Sequence, residues 1–326
     1  MIIVTGATGF IGSNIVADLN ARGRTDLLLV DDLGTQGKWK NIAKRRFLDV
    51  VDYRQLGTLL PTLGKANAVF HMGANSSTTS TDGDEILEVN LHATMAWWKW
   101  CTRTGTPFIY ASSAATYGDG QQGFDDDQVL TELEKLAPLN LYGWSKHQFD
   151  KWAIERAAEG SAPPQWAGLK FFNVYGPNEY HKGEMKSLVA KNTDLIARGE
   201  TIRLFKSHKA GFADGAQLRD FVYVKDCTAV MMWLMDTPSV SGLFNLGTGQ
   251  ARSFIDLMQA IGTALGKQVN VEFVDMPESI RPNYQYFTEA RMDKLKAAGF
   301  SHSITSLEAG VLDYVQSHLQ QVDPYR

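Results

Sequence analysis

The chain begins with a short β-branched run, Ile2-Ile3-Val4-Thr5, after which Ile11, Ile15, Val16 and Leu19 recur at helical spacing until Gly23 supplies a stop. This pattern predicts strand, turn, helix. Leu27-Leu28-Leu29-Val30, Ala68-Val69-Phe70, Phe108-Ile109-Tyr110 and Leu169-Lys170-Phe171-Phe172 are further runs of buried type, separated by helical stretches such as Glu85 to Arg103 and Trp144 to Ala158. Strands alternating with helices require right-handed crossovers, so the expected class is α/β: a Rossmann-type, doubly wound parallel sheet. After Asn173 the rhythm loosens. A helix is expected near Lys186 to Arg198, short strands at Arg203-Leu204-Phe205 and Phe221-Val222-Tyr223, and helices near Ser253 to Leu265 and Ser306 to Leu319. This part reads as a smaller, mostly helical C-terminal lobe that covers a ligand.

Composition narrows the function classes. With 326 residues the chain exceeds one ordinary domain, and 44% hydrophobic against 21% charged residues excludes a disordered chain, a coiled coil or a fibre. Thirty-two Lys and Arg against 36 Asp and Glu are too balanced for binding along a nucleic-acid backbone. Only Cys101 and Cys227 are present, which forbids a disulfide framework or a multi-thiolate zinc site and fits a reducing compartment. No metal-ligand spacing surrounds His71 or His181, so no metal is expected. His71 reads as a satisfied strand-end histidine. The opening residues lack a basic leader, and no apolar stretch reaches the ~18 residues of a membrane span, so a cytoplasmic protein without a membrane partner is expected. The polar stretch from Tyr117 to Glu134 reads as a long loop of the kind that lines a site, and Trp97, Trp98 and Trp100 as a core or subunit-interface stripe.

Candidate chemistry starts at Gly6-Ala7-Thr8-Gly9-Phe10-Ile11-Gly12, where small residues let the backbone approach a pyrophosphate and the N–H groups of a helix receive its charge. Asp31 ends the second strand 19 residues after Gly12, where a carboxylate accepts hydrogen bonds from an adenosine ribose. Together they predict a dinucleotide on residues 1–172, with a return segment near 221–247, and leave 173–220 and 248–326 as the substrate-binding lobe. Asp31 and Asp32 would repel a 2'-phosphate while Lys38 would neutralise one, so these residues leave NAD and NADP both open. Tyr142 and Lys146 stand at i and i+4 on one helical face, and a phenol of pKa ~10 becomes a base near neutrality only beside a cation. Ser113 follows the Phe108-Ile109-Tyr110 strand at the edge where parallel sheets bind ligands, placed to hydrogen-bond a reacting hydroxyl.

Through TGATGFIG, the Ser113, Tyr142 and Lys146 set, Asn173-Val174-Tyr175-Gly176-Pro177 and Arg219-Asp220-Phe221-Val222, the sequence resembles the extended short-chain dehydrogenase/reductase family. The segments YASSAATYG, PLNLYGWSK, HKGEM and FNLGTG are similar to its nucleotide-sugar epimerase branch, and within it to the enzymes acting on an ADP-heptose. The resemblance implies inversion at C6'' by transient oxidation to a ketone and return of the hydride, in the cytoplasm, for lipopolysaccharide core biosynthesis. It implies NADP as cofactor, with NAD as the alternative, an ADP-sugar substrate, and a homo-oligomer such as a pentamer. Tyr142 would serve one epimer and Lys182 the other, with Lys146 lowering the tyrosine pKa and Ser113 orienting the substrate. The cofactor contacts it implies are Gly6, Gly9, Phe10, Ile11, Gly12, Asp31, Asp32, Lys38, Met72, Gly73, Ala74, Asn75, Ser76, Asn90, Lys146, Val174 and Lys182. Those to substrate are Ser113, Asn173, Glu184, Lys191, Phe205, Arg219 and Tyr284, the Arg219 fork being suited to a diphosphate. Two rivals stay open: another nucleotide-sugar 4-epimerase or dehydratase, and a catalytically silent dinucleotide sensor.

Overall fold

The computed structural model describes residues 1–278, 281 and 284–326. The chain up to Phe171 supplies six strands: β1 (Ile2–Thr5), β2 (Leu27–Val30), β3 (Asp49–Val51), β4 (Ala68–His71), β5 (Phe108–Ser113) and β6 (Trp166–Phe171). The second half adds β7 (Asn173–Tyr175), β8 (Ile202–Phe205), β9 (Leu218–Tyr223), β10 (Gly242–Leu246), β11 (Ala251–Ser253) and β12 (Val271–Val274). The main sheet has seven strands, all parallel, in the order β10-β6-β5-β4-β1-β2-β3. Connections run one way from β1 to β3 and the other way from β4 onward, which leaves a crevice beyond the carboxyl ends of β1 and β4. Thr5 pairs with His71 and His71 with Tyr110, so these strand ends form one row under the crevice.

Side chains alternate across each strand, and each face is buried against its own helices. Ile2 and Val4 share a core with Ile15, Val16 and Leu19 of the first helix (Phe10–Ala21) and with Met231 and Leu234 of the Val224–Asp236 helix. Ile3 and Val69 share the opposite core with Trp97, Trp98 and Phe149. Trp98 meets Phe108, Phe149 and Trp152 edge to face, so the tryptophan stripe is core. The smaller lobe is built around Val189, Ile196, Leu204, Leu257, Ile261 and Val311, with a three-stranded sheet β11-β9-β7 and a two-stranded sheet β12-β8.

Several elements differ from expectation. Glu85 to Arg103 is not one helix: Gly83–Ile86 and Ala93–Thr104 are α-helical, and Leu87–His92 between them forms a π turn. Such a bulge re-aims side chains locally, here Asn90. The Trp144 helix starts three residues earlier, at Leu141, because Asn140 caps it by accepting the Gly143 N–H at 2.8 Å. Of the return segment, Gly242–Leu246 lies in the main sheet beside β6, whereas Phe221–Tyr223 belongs to the three-stranded sheet beside β7. The Tyr117 to Glu134 stretch contains a short helix at Leu130–Leu133 and lines no part of the main cavity. It packs under β10 instead, where Asp126 accepts the Asn245 N–H at 2.9 Å. Among the described residues no helix is long and apolar enough to cross a membrane.

Candidate active site

A cavity of about 1000 Å³ runs from the crevice at β1 and β4 to the smaller lobe. At one end is the glycine turn. Gly6 adopts φ +62°, and a side chain there would press within 2.7 Å of the Gly73 nitrogen. A side chain on Gly12 would collide with the Gly6 carbonyl. The N-cap Gly9 has no capping side chain, and the N–H groups of Phe10, Ile11 and Gly12 find no partner among the described residues. Unpaired helix donors above a floor of glycine fit a pyrophosphate. Gly12→Ala should cost about 1–3 kcal/mol of overpacking and strip bound dinucleotide, measured on denatured purified protein; full retention would contradict the cradle.

The floor is held by a chain of hydrogen bonds whose direction can be worked out. Thr94 Oγ1 donates to the Asn90 carbonyl at 2.6 Å, so it accepts from His71 Nε2 at 2.9 Å. His71 Nδ1 is therefore the acceptor, taking the Thr5 hydroxyl at 2.7 Å, and Thr5 Oγ1 in turn accepts the Gly73 N–H at 3.0 Å. Burial, helped by the Lys146 charge, pushes the imidazole down to about 3, so it stays neutral in this structural role.

At the Asp31 end the carboxylate is fully used within the chain. Asp31 Oδ2 accepts the Thr8 N–H at 2.8 Å and its hydroxyl at 2.7 Å; Oδ1 accepts the Asp32 N–H and Lys38 Nζ, both at 2.8 Å. Lys38 also reaches Asp32 at 2.6 Å. Burial opposes its charge, but Asp31 and Asp32 together hold the ammonium above its ordinary pKa. Thr8, which ties the turn to β2, is missing from the sequence-derived set; its signal is a hydroxyl inside the glycine turn. Gln36 and Tyr53 also line this end, from loops that carry no motif.

The catalytic candidates open on the middle of the cavity: Ser113, Tyr142, Lys146 and Lys182 all line it. Gly143 lets the Tyr142 helix (Leu141–Ala158) approach the turn after β5, since a side chain there would meet the Ala115 carbonyl at 2.7 Å. Ser113 caps that turn by accepting the Ala115 N–H at 3.1 Å, which leaves its own hydrogen for donation. Lys146 is buried, has no hydrogen-bond partner among the described residues, and burial lowers it to about 8 against the opposing charge of Asp150. Burial raises the Tyr142 phenol, and the nearby Ser113 hydroxyl opposes this. The amine of Lys182 lies 5.3 Å from the Phe10 ring centroid and is lowered by burial, with Glu179 opposing.

Of the other candidates, Gly6, Gly9, Phe10, Ile11, Gly12, Asp31, Asp32, Lys38, Met72, Gly73, Ala74, Asn75, Ser76, Asn173 and Val174 line the same cavity. Six residues do not. Asn90 sits behind the wall, its amide spent on the Asn75 N–H and carbonyl at 2.8 and 2.9 Å and on Ser145 at 3.1 Å. Glu184 is exposed and pairs with Lys191 at 3.0 Å. Arg219 makes no ion pair with Asp220 among the described residues: its guanidinium stacks on Phe254 and Tyr284 and donates to the Leu218 and Gln285 carbonyls. Tyr284 packs edge to face on Phe205, so Phe205, Arg219 and Tyr284 form one closed aromatic cluster beside Phe254, which does line the cavity.

A parallel sheet with a pyrophosphate cradle and a Ser, Tyr, Lys set at its carboxyl edge defines a nicotinamide-dependent fold. The chain belongs to the NAD dependent epimerase/dehydratase family, which matches residues 2–247. It is 48% identical, over 332 residues and all of both chains, to the ADP-L-glycero-D-manno-heptose-6-epimerase of Nitratidesulfovibrio vulgaris (strain DP4). Among solved structures it is similar to the Helicobacter pylori enzyme of the same name, with TM-score 0.81 and 26% identity over 97% of this chain and 95% of that one. It is also similar to the Thermus thermophilus UDP-glucose 4-epimerase complexed with NAD, with TM-score 0.73 and 27% identity over 95% and 96% of the two chains.

Proposed function

We propose that this chain is an isomerase that inverts C6'' of an ADP-heptose, converting ADP-D-glycero-D-manno-heptose to its L-glycero epimer in the cytoplasm. The supply of lipopolysaccharide core follows from that substrate. One observation carries the reading: Tyr142 and Lys182, two different proton carriers, open on a single cavity that begins at a pyrophosphate cradle. Full-length identity of 48% to a heptose epimerase favours this substrate over the UDP-sugars of the 4-epimerases.

When bound, nicotinamide supplies an acceptor and later a donor for the sugar hydride, together with positive charge beside the phenol. Inverting a carbinol carbon through a ketone presents its oxygen in two positions, which one acid/base does not reach equally well. Tyr142 takes the hydroxyl proton of one epimer. Lys182, a half-buried amine whose pKa burial lowers, takes that of the other. Ser113 donates to the reacting oxygen, and Lys146 stabilises the Tyr142 phenolate. Two measurements on one preparation test the proposal: identifying the dinucleotide released on denaturation, and following C6'' inversion by NMR without added nicotinamide. Preference for a UDP-sugar would overturn the substrate.

For the dinucleotide we favour NADP over NAD, since Lys38 stands charged where the adenosine ribose is expected and already offsets Asp31 and Asp32. Lys38→Ala should cut the preference for NADP by roughly ten-fold, the worth of one charge-assisted hydrogen bond. Competitive reconstitution with both dinucleotides measures it, and an unchanged ratio would remove Lys38 from that role.

A further inference from the structure

Lys182 has no side-chain hydrogen bond among the described residues, so its direction into the cavity is set by the backbone that carries it. That backbone is a loop, residues 176–187, with 3-10 turns at Tyr180–Met185 and with Gly176, Asn178 and Gly183 at positive φ. Glu179, within it, is completely buried. Its Oε1 accepts the Gly176 N–H at 3.3 Å and the Ser187 hydroxyl at 2.6 Å, and its Oε2 accepts the Ser187 N–H at 2.6 Å. One carboxylate thus fastens both ends of the loop. The outer side is fastened separately: the Tyr180 hydroxyl donates to the Pro324 carbonyl at 2.9 Å, and Asn178 accepts the Arg326 N–H at 3.0 Å.

We propose that Glu179 is a positioning residue for Lys182, its buried carboxylate closing the loop at both ends and so fixing the backbone that carries the amine. This rests on the two-sided proton scheme proposed above. Other titratable groups on this side are Tyr180 and Tyr314, which face Glu179, and His181, which neighbours Lys182, Lys38 and Asp31. Burial lowers Lys182, with Glu179 opposing; burial raises Glu179 itself, opposed by its bonds from the Ser187 hydroxyl and N–H and by the Lys182 charge. Glu179→Gln keeps the shape, removes the charge and weakens the acceptors. Ser187→Ala, which deletes only one of the three donors, serves as the milder variant should the first fail to fold.

Two readouts decide. In the first, each C6'' epimer is mixed with the holoenzyme and the first appearance of reduced nicotinamide is timed. Glu179→Gln should slow the epimer served by Lys182 by ~10-fold or more, part of the range of one acid/base, and leave the other nearly unchanged; equal slowing of both would overturn the proposal. In the second, acylation of Lys182 by acetic anhydride is followed against pH by mass spectrometry, without substrate. Removing the carboxylate should lower the midpoint, and an unmoved midpoint overturns the proposal whatever the substrate proves to be. Absence of nicotinamide reduction by wild type with either epimer would defeat the function reading instead, leaving the acylation result to decide Glu179.

Discussion

Tyr142→Phe should lower turnover by ~10²–10⁴-fold, the usual worth of one positioned acid/base, while fold and bound dinucleotide persist. The ring stays in place, and the substitution removes only the phenolic oxygen at the cavity wall. Pre-steady-state reduction of nicotinamide by each epimer and thermal unfolding measure the two halves of this statement; undiminished turnover would remove Tyr142 from the chemistry. Lys146 adds a pH dependence with a definite sign. Its pKa is lowered to about 8, so it is charged below that pH and neutral above it. As pH rises through about 8 the cation that favours the phenolate is lost, and turnover should fall on the alkaline side. Lys146→Met should abolish that limb along with most activity.

The second large effect concerns stability. Lys170 on β6 and Asp150 on the Tyr142 helix form an ion pair at 2.8 Å with no exposed surface on either. Asp150 also accepts the Ser112 hydroxyl at 2.6 Å and the Tyr110 hydroxyl at 3.0 Å, and Lys170 donates to Thr116 at 2.8 Å. This cluster clamps the helix carrying Tyr142 and Lys146 onto β5 and β6. Lys170→Met leaves a carboxylate buried without its partner, and such losses run to about 3–5 kcal/mol. Chemical denaturation should register it, and adding Asp150→Leu should restore part of the loss, because the penalty lies in the orphaned charge. A single variant as stable as wild type would contradict this.

The sheet was legible because its central strands are buried on both faces and read as unbroken apolar runs. Asp49–Val51 was not, being a three-residue edge strand with a charged residue at its start. The π turn at Leu87–His92 was equally hidden, since one inserted residue scarcely disturbs helical periodicity. Within the site, residues fixed by local spacing, Tyr142 with Lys146 and the glycines, could be read from the chain. The stacking of Arg219 on Phe254 and Tyr284 could not, because these partners come from remote segments and only folding brings them against it. Glu179 sits in no motif of its own, and its two-ended closure depends on Ser187, eight residues away, turning back to meet it.

The most direct test of the account follows the C6'' hydrogen itself. An ADP-D-glycero-D-manno-heptose carrying deuterium at C6'' is converted in ordinary water, and the product is read by NMR and mass spectrometry. Transfer to and from a bound nicotinamide predicts the L-glycero epimer with its deuterium still on C6''. Inverted product carrying solvent hydrogen at that carbon would contradict the account.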